Sequence, residues 1–181
     1  MATVAFTREI GSLSQAGSAP SRDLQELWFA TRRREWKSLC ILPAAPGEST
    51  LAIAEALANV GRIIRRTPPR VVRAEKLELS DIAQLVMEMT EEVPAPSPAS
   101  TVWTSSSPRA LAPSLPISQD APVIIAIESV VSNPLMLPVA LAADCVLLCI
   151  HLGKTDLPSA RHTIAMIGRD RLIGAVLVRS R

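Results

Sequence analysis

No run of apolar residues in this 181-residue chain is long enough to cross a bilayer, so no transmembrane segment is expected. Arg8 and Glu9 follow closely on Ala5 and Phe6, a pattern unlike a signal peptide, and a cytoplasmic location is the default reading. Cysteine is scarce: Cys40, Cys145 and Cys149 make an odd count with no C-x-x-C or Cys/His spacing, which argues against a disulfide framework and a zinc site. Each of the three sits in an apolar run and reads as a small buried hydrophobe. The two histidines, His151 and His162, have no serine elbow or paired-carboxylate spacing around them, so a surface or structural role is expected for both. The arginine-rich segments lack interleaved aromatics and any nucleic-acid-binding motif, and nucleic acid is not the expected partner.

What is present suits one globular domain. Hydrophobic residues make up 48% of the chain and charged residues 20%, and 181 residues can bury a core without metal or disulfide support. The net charge of +2 is unevenly spread. Residues 1–73 carry 11 basic and 6 acidic side chains, residues 74–150 carry 2 and 9, and residues 151–181 carry 6 and 2. That asymmetry fits opposite charges meeting on a folded surface, or a basic face for a partner.

The rest of the chain is organised around Ser38 to Gly61. Leu39 to Leu42 form an apolar run, Pro43 to Gly47 break it, and Leu51, Ala54, Leu57 and Ala58 resume at helical spacing after Ser49, which predicts a strand, a tight turn and a helix. Phosphate loops of the pattern G-x-x-x-x-G-K-[ST] occupy the same frame, with backbone amides around the phosphates, a lysine on the β/γ-phosphates and a hydroxyl on magnesium. Here Gly47 and a hydroxyl, Ser49 or Thr50, remain, and the second glycine and the lysine are missing.

Around that centre, residues 1–20 read as a flexible N-terminal arm and 21–181 as a single α/β domain. Ser21 caps an amphipathic helix carrying Leu24, Leu27 and Trp28, which ends in Arg32, Arg33 and Arg34. Ile63–Ile64 and Val71–Val72 flank a doubled proline, and either pair fits a short strand. Ser80 or Asp81 starts a helix to about Met89. Residues 93–122, rich in proline and serine, read as a loop anchored by Trp103, with one short strand allowed at Thr101–Thr104. Val123–Ile127, Cys145–Ile150 and Ile173–Val178 have the continuous apolar character of parallel strands buried on both faces. The helices Pro134–Ala143 and Asp156–Ile167 alternate with them. The fold class expected is a three-layer α/β sandwich with a mainly parallel central sheet.

With these segments in place, the chain from about Ser21 to Val178 resembles the bacterial tyrosine kinases of capsule and exopolysaccharide synthesis, within the MinD/ParA-like branch of P-loop ATPases. SRDLQELWFATRRREWKSLCILPAAPGEST is similar to that family's leading helix, first strand and phosphate loop. PVIIAIESVVSNPLMLPVALAADCVLLCIHLGKT is similar to its aspartate-bearing strand, proline-containing loop and following strand, and GRDRLIGAVLVRS to its closing strand. The resemblance implies a P-loop NTPase-like fold in which the functional positions have degenerated. Ala44 and Ala45 stand where this branch carries an extra lysine, Ala126 stands for the later aspartate with Glu128 the only carboxylate close by, and Val178 and Arg179 replace the asparagine that reads the base. Ile63, Ile64, Arg65 and Arg66 occupy the strand that should bring a magnesium-binding aspartate. The complete absence of tyrosine removes the C-terminal cluster that these kinases phosphorylate in one another.

What the resemblance implies is therefore a pseudoenzyme: no catalytic residue, no metal and no cofactor. Weak anion binding at Gly47, Glu48, Ser49 and Thr50 rests on backbone amides alone. Its action would lie in protein contacts during exopolysaccharide assembly or export, with a membrane chain-length regulator or a second copy as partner and Leu24, Leu27 and Trp28 either as interface or as core. Through such a partner the chain would sit peripherally at the inner membrane. Two alternatives stand beside it: a MinD/ParA-like ATPase that still binds ATP and magnesium through an altered loop, and a DNA- or anionic-membrane-binding module using Arg32, Arg33, Arg34, Arg65 and Arg66, with Arg70 and Arg73.

Overall fold

The computed structural model describes residues 6–10, 20–64, 68–74, 77, 79–90 and 121–179. Apolar runs at 39–42, 124–127 and 145–149 are the signature of strands covered on both sides, and they form the middle of one sheet. In chain order the strands are β1 (Phe6–Ile10), β2 (Ser38–Pro43), β3 (Arg70–Arg73), β4 (Val123–Ala126), β5 (Cys145–Leu152) and β6 (Leu172–Arg179). The helices are α1 (Arg22–Thr31), α2 (Leu51–Ile64), α3 (Leu79–Thr90), α4 (Met136–Ala142) and α5 (Leu157–Ile167), and a 3₁₀ turn at Arg169–Arg171 leads into β6. The spatial order is β1-β6-β5-β2-β4-β3, and every pair is parallel.

The path of the chain explains the three layers. From β1 through β2 to β3 it moves in one direction across the sheet, and α1 and α2 pack on one face through Leu24, Leu27, Trp28, Ile53 and Leu57. From β3 back through β4 and β5 to β6 it moves the other way, and α3, α4 and α5 cover the opposite face through Ile82, Leu85, Val139 and Ile167. Crossovers of one hand require this change of face when the direction reverses. β2 and β5 are neighbours whose chains leave toward opposite faces. The crevice beyond their carboxyl ends is thus the switch point at which open α/β sheets bind ligands.

Local chemistry fixes the helix layer. The Ser21 hydroxyl accepts from the Leu24 N–H at 3.4 Å and starts α1. Trp28 and Trp36 meet edge to face at 6.0 Å, and the Trp36 indole N–H donates to the Thr31 carbonyl at 3.1 Å. Gly61 is the contact point of α2 with α1: a Cβ there would lie 2.6 Å from both the Trp28 ring and Pro69. At the amino ends of β2 and β5, Asp144 Oδ2 accepts from the N–H groups of Lys37 and Ser38, both at 2.8 Å, and from the Ser38 hydroxyl at 3.0 Å. The Ser38 oxygen accepts in turn from the Asp144 N–H at 2.9 Å. Among the described residues no helix is long and apolar enough to cross a membrane.

Two expectations change, and an open alternative is decided. Phe6–Ile10, read as part of a loose arm, is an edge strand paired with Gly174–Val178 of β6. Ile63–Ile64 is the last part of α2 rather than a strand, because nothing between Ser49 and Ile64 interrupts the helix, and only Val71–Val72 enters the sheet. Of the two readings of Leu24, Leu27 and Trp28, interface or core, the structure shows core: they are at most 1% exposed. Arg65, Arg66, Trp103 and the strand considered at Thr101–Thr104 lie outside the described residues.

Candidate functional site

The loop between β2 and α2 begins where Pro43 ends the strand. The Ala44 N–H donates to the Cys149 carbonyl at 2.8 Å, and the Ala44 carbonyl accepts from the Thr163 hydroxyl of α5 at 3.1 Å. Gly47 then turns with φ of +76°, a left-handed conformation that a Cβ strains even though the space around it is open. Ser49 is exposed, and its hydroxyl accepts from the Leu51 N–H at 3.3 Å.

Thr50 is the hydroxyl that the phosphate-loop frame puts nearest the helix start. It is fully buried, with its oxygen 3.1 Å from the Ile41 carbonyl and 3.3 Å from the Ile127 carbonyl. Its single proton is shared between the ends of β2 and β4. The hydroxyl therefore ties loop to sheet and is not turned toward a ligand.

Glu48, grouped in the sequence with the residues whose amides could hold an anion, instead reaches across the crevice to β5 with its side chain. Its carboxylate lies 2.8 Å from His151 Nδ1 and accepts the Thr155 hydroxyl at 2.9 and 3.1 Å. The side chains of Glu48 and His151 are only 5% and 13% exposed. Thr155 is fixed in turn, since its oxygen accepts the His151 N–H at 2.9 Å and its own N–H donates to the His151 carbonyl at 2.9 Å. These contacts close the switch point with the chain's own carboxylate.

Cys149 stands two residues before His151 on the same strand face, with Sγ 3.9 Å from Nδ1. A thiol, an imidazole and a carboxylate together suggest nucleophilic catalysis, but the geometry opposes it. Thiol and carboxylate share the same ring nitrogen, whereas a relay sets nucleophile and orienting acid on opposite nitrogens. Burial first, and then the negative charge of Glu48, push the Cys149 thiol up to about 12, so the nucleophilic thiolate is suppressed at neutral pH. Cys145, raised to about 12 by burial and by Asp144, and Cys40, raised further by burial, are equally inert.

The acidic positions are not brought to the loop as a pair. Ala126 is buried in β4 among the residues that pack under α2. Glu128 turns into its own loop, where it accepts from Asn133 Nδ2 at 3.3 Å. Of the arginines, Arg32 lies 4.8 Å over the Trp36 ring and donates to the Trp36 carbonyl, Arg70 faces Glu88 at 3.6 Å, and Arg73 pairs with Glu55 at 2.6 Å. Arg33 and Arg34 are exposed at the opposite edge of the sheet from the loop. Lys154, on the turn that also carries Thr155, is the exposed cation nearest in sequence to the bridge. Among the described residues no three His, Cys, Asp or Glu side chains are grouped to hold a metal ion.

The bridge joins positions 103 and 107 residues apart, so no local spacing announces it. One signal was available: His151, next to the last residue of β5, is polar in an otherwise apolar parallel strand, and it lies where the loops of the carboxyl edge converge. Comparison with known protein families, curated proteins and solved structures gives no match.

Proposed function

We propose that this chain is a non-catalytic relative of the polysaccharide tyrosine kinases, built on the P-loop NTPase plan and acting through protein contacts in exopolysaccharide assembly, export or its regulation. The observation that supports this reading best is the engagement of Glu48. The turn that would cradle phosphate in a nucleotide-binding relative instead holds a buried carboxylate tied to His151 and Thr155. Phosphoryl transfer depends on positioning and cationic stabilisation, and this loop has neither a lysine nor a free hydroxyl at Thr50. A carboxylate beside a phosphate also repels it, by about 4 kcal/mol for unit charges at roughly 4 Å and an effective dielectric constant of 20.

The test is a titration of the purified chain with a fluorescent ATP analogue, with and without Mg²⁺. The expected result is no saturable signal up to about 1 mM, the weak end of measurable binding. Micromolar, Mg²⁺-dependent binding overturns the reading in favour of an ATPase with an altered loop. A parallel binding assay against the cytoplasmic segment of a polysaccharide chain-length regulator tests the partner class, and saturable binding is expected.

A further inference from the structure

We propose that the last turns of α1 and α2, with the connection from α1 into β2, dock on the surface of an anionic lipid bilayer. The proposal starts from cations that the fold leaves unengaged. Arg33, Arg34 and Lys37 are exposed on that connection, and their side chains have no ionic or hydrogen-bond partner among the described residues. Arg62, in the last turn of α2, reaches only Asn59 of its own helix, at 2.8 Å. Opposing them on the connection is one carboxylate, Glu35. The nearby Asp144 directs an oxygen at the N–H groups of Lys37 and Ser38.

Large apolar side chains are exposed at the same end of the molecule. Phe29 is 57% exposed one turn before Arg33, and Ile63 and Ile64 are 58% and 43% exposed at the end of α2. Both helices run back from the carboxyl edge of the sheet to the amino ends of its parallel strands, and Trp28 against Gly61 joins their final turns. One edge of the domain therefore combines unpaired cations with uncovered hydrocarbon.

This combination selects lipid over nucleic acid. Arginine serves either polyanion and Phe29 has a face on which a base could stack, but the two aliphatic side chains Ile63 and Ile64 offer a nucleic acid neither a stacking face nor a hydrogen bond. In an anionic interface they enter the boundary of the acyl chains while the cations meet the headgroups. Each cation near such a surface multiplies partitioning about fivefold. The surface is remote from the Glu48 bridge, and the proposal stands whether or not the loop binds nucleotide.

Flotation of the full chain with extruded vesicles tests it. Phosphatidylcholine vesicles containing about one-third phosphatidylglycerol should bind the chain at about 0.15 M salt and release it as salt rises, while pure phosphatidylcholine should not. Arg33→Gln with Arg34→Gln should lower partitioning about 30-fold, as expected for two cations. Ile63→Ser with Ile64→Ser should also weaken vesicle binding several-fold, with no change in any affinity for duplex DNA. Circular dichroism of each variant confirms that the fold is kept. Absence of binding to the anionic vesicles overturns the proposal. So does binding that ignores the isoleucine changes, which would mark a general polyanion surface.

Discussion

Replacing Glu48 by alanine should destabilise the fold by about 2–4 kcal/mol, because a mostly buried acceptor is lost from two donors at once. His151 Nδ1 at 2.8 Å and the Thr155 hydroxyl at 2.9 Å both depend on that carboxylate, and the side chains of Glu48 and His151 are 5% and 13% exposed. A net hydrogen bond to a charged group contributes about 1.5–3 kcal/mol, and the Thr155 oxygen keeps one partner in the His151 N–H, so the two contacts do not add fully. Glu48→Gln keeps an acceptor without the charge and should cost about half as much. Urea unfolding of wild type, Glu48→Ala, His151→Ala and the double variant at one pH gives the coupling directly, and about 1–2 kcal/mol is expected. A coupling within about 0.5 kcal/mol of zero would mean that the two side chains are energetically independent. The account of a crevice closed by its own carboxylate would then be wrong.

Gly61→Ala should cost about 1–3 kcal/mol despite the higher helix propensity of alanine, since the added methyl overlaps Trp28 and Pro69 at 2.6 Å; thermal unfolding checks this. Asp144→Ala should cost about 1–2 kcal/mol in the same assay, with Asp144→Asn intermediate, because the clamp on Lys37 and Ser38 is lost. The thiols of Cys40, Cys145 and Cys149 should be silent to an aromatic disulfide reagent at pH 8 and react fully once the chain is unfolded. Their folded values lie above the unfolded value of 9.0, so their contribution to stability is complete below about pH 9 and is lost as pH rises toward 12. Unfolding free energy measured from pH 8 to 11 should fall, and a flat profile would refute the burial argument.

Much of the architecture was readable because the core strands are chemically uniform. The runs at 39–42, 124–127 and 145–149 carry no alternation and are short, which fits strands of a sheet covered on both faces, and their separation by helical spacings implied parallel pairing. β1 was missed because FTREI is short, with charges at two of its five positions, and it takes its stability from β6 rather than from its own composition. The end of α2 was misread because the aliphatic pair Ile63–Ile64 satisfies either period when taken alone. The strand–turn–helix frame left Ser49 and Thr50 as alternative hydroxyls, and only the fold shows that of Thr50 held by Ile41 and Ile127. Likewise Leu24, Leu27 and Trp28 declare an apolar stripe in sequence, and the stripe alone cannot say whether sheet or partner covers it.

The meeting of Trp28 with Gly61 limits how this protein can vary. With the indole and the Pro69 ring in place, hydrogen is the side chain that fits position 61 without displacement, and any substituent there needs both Trp28 and Pro69 to give way. Descendants of this chain, natural or engineered, should therefore change position 61 in concert with 28 and 69, so that a trimmed aromatic and a displaced proline together are the passport for a methyl.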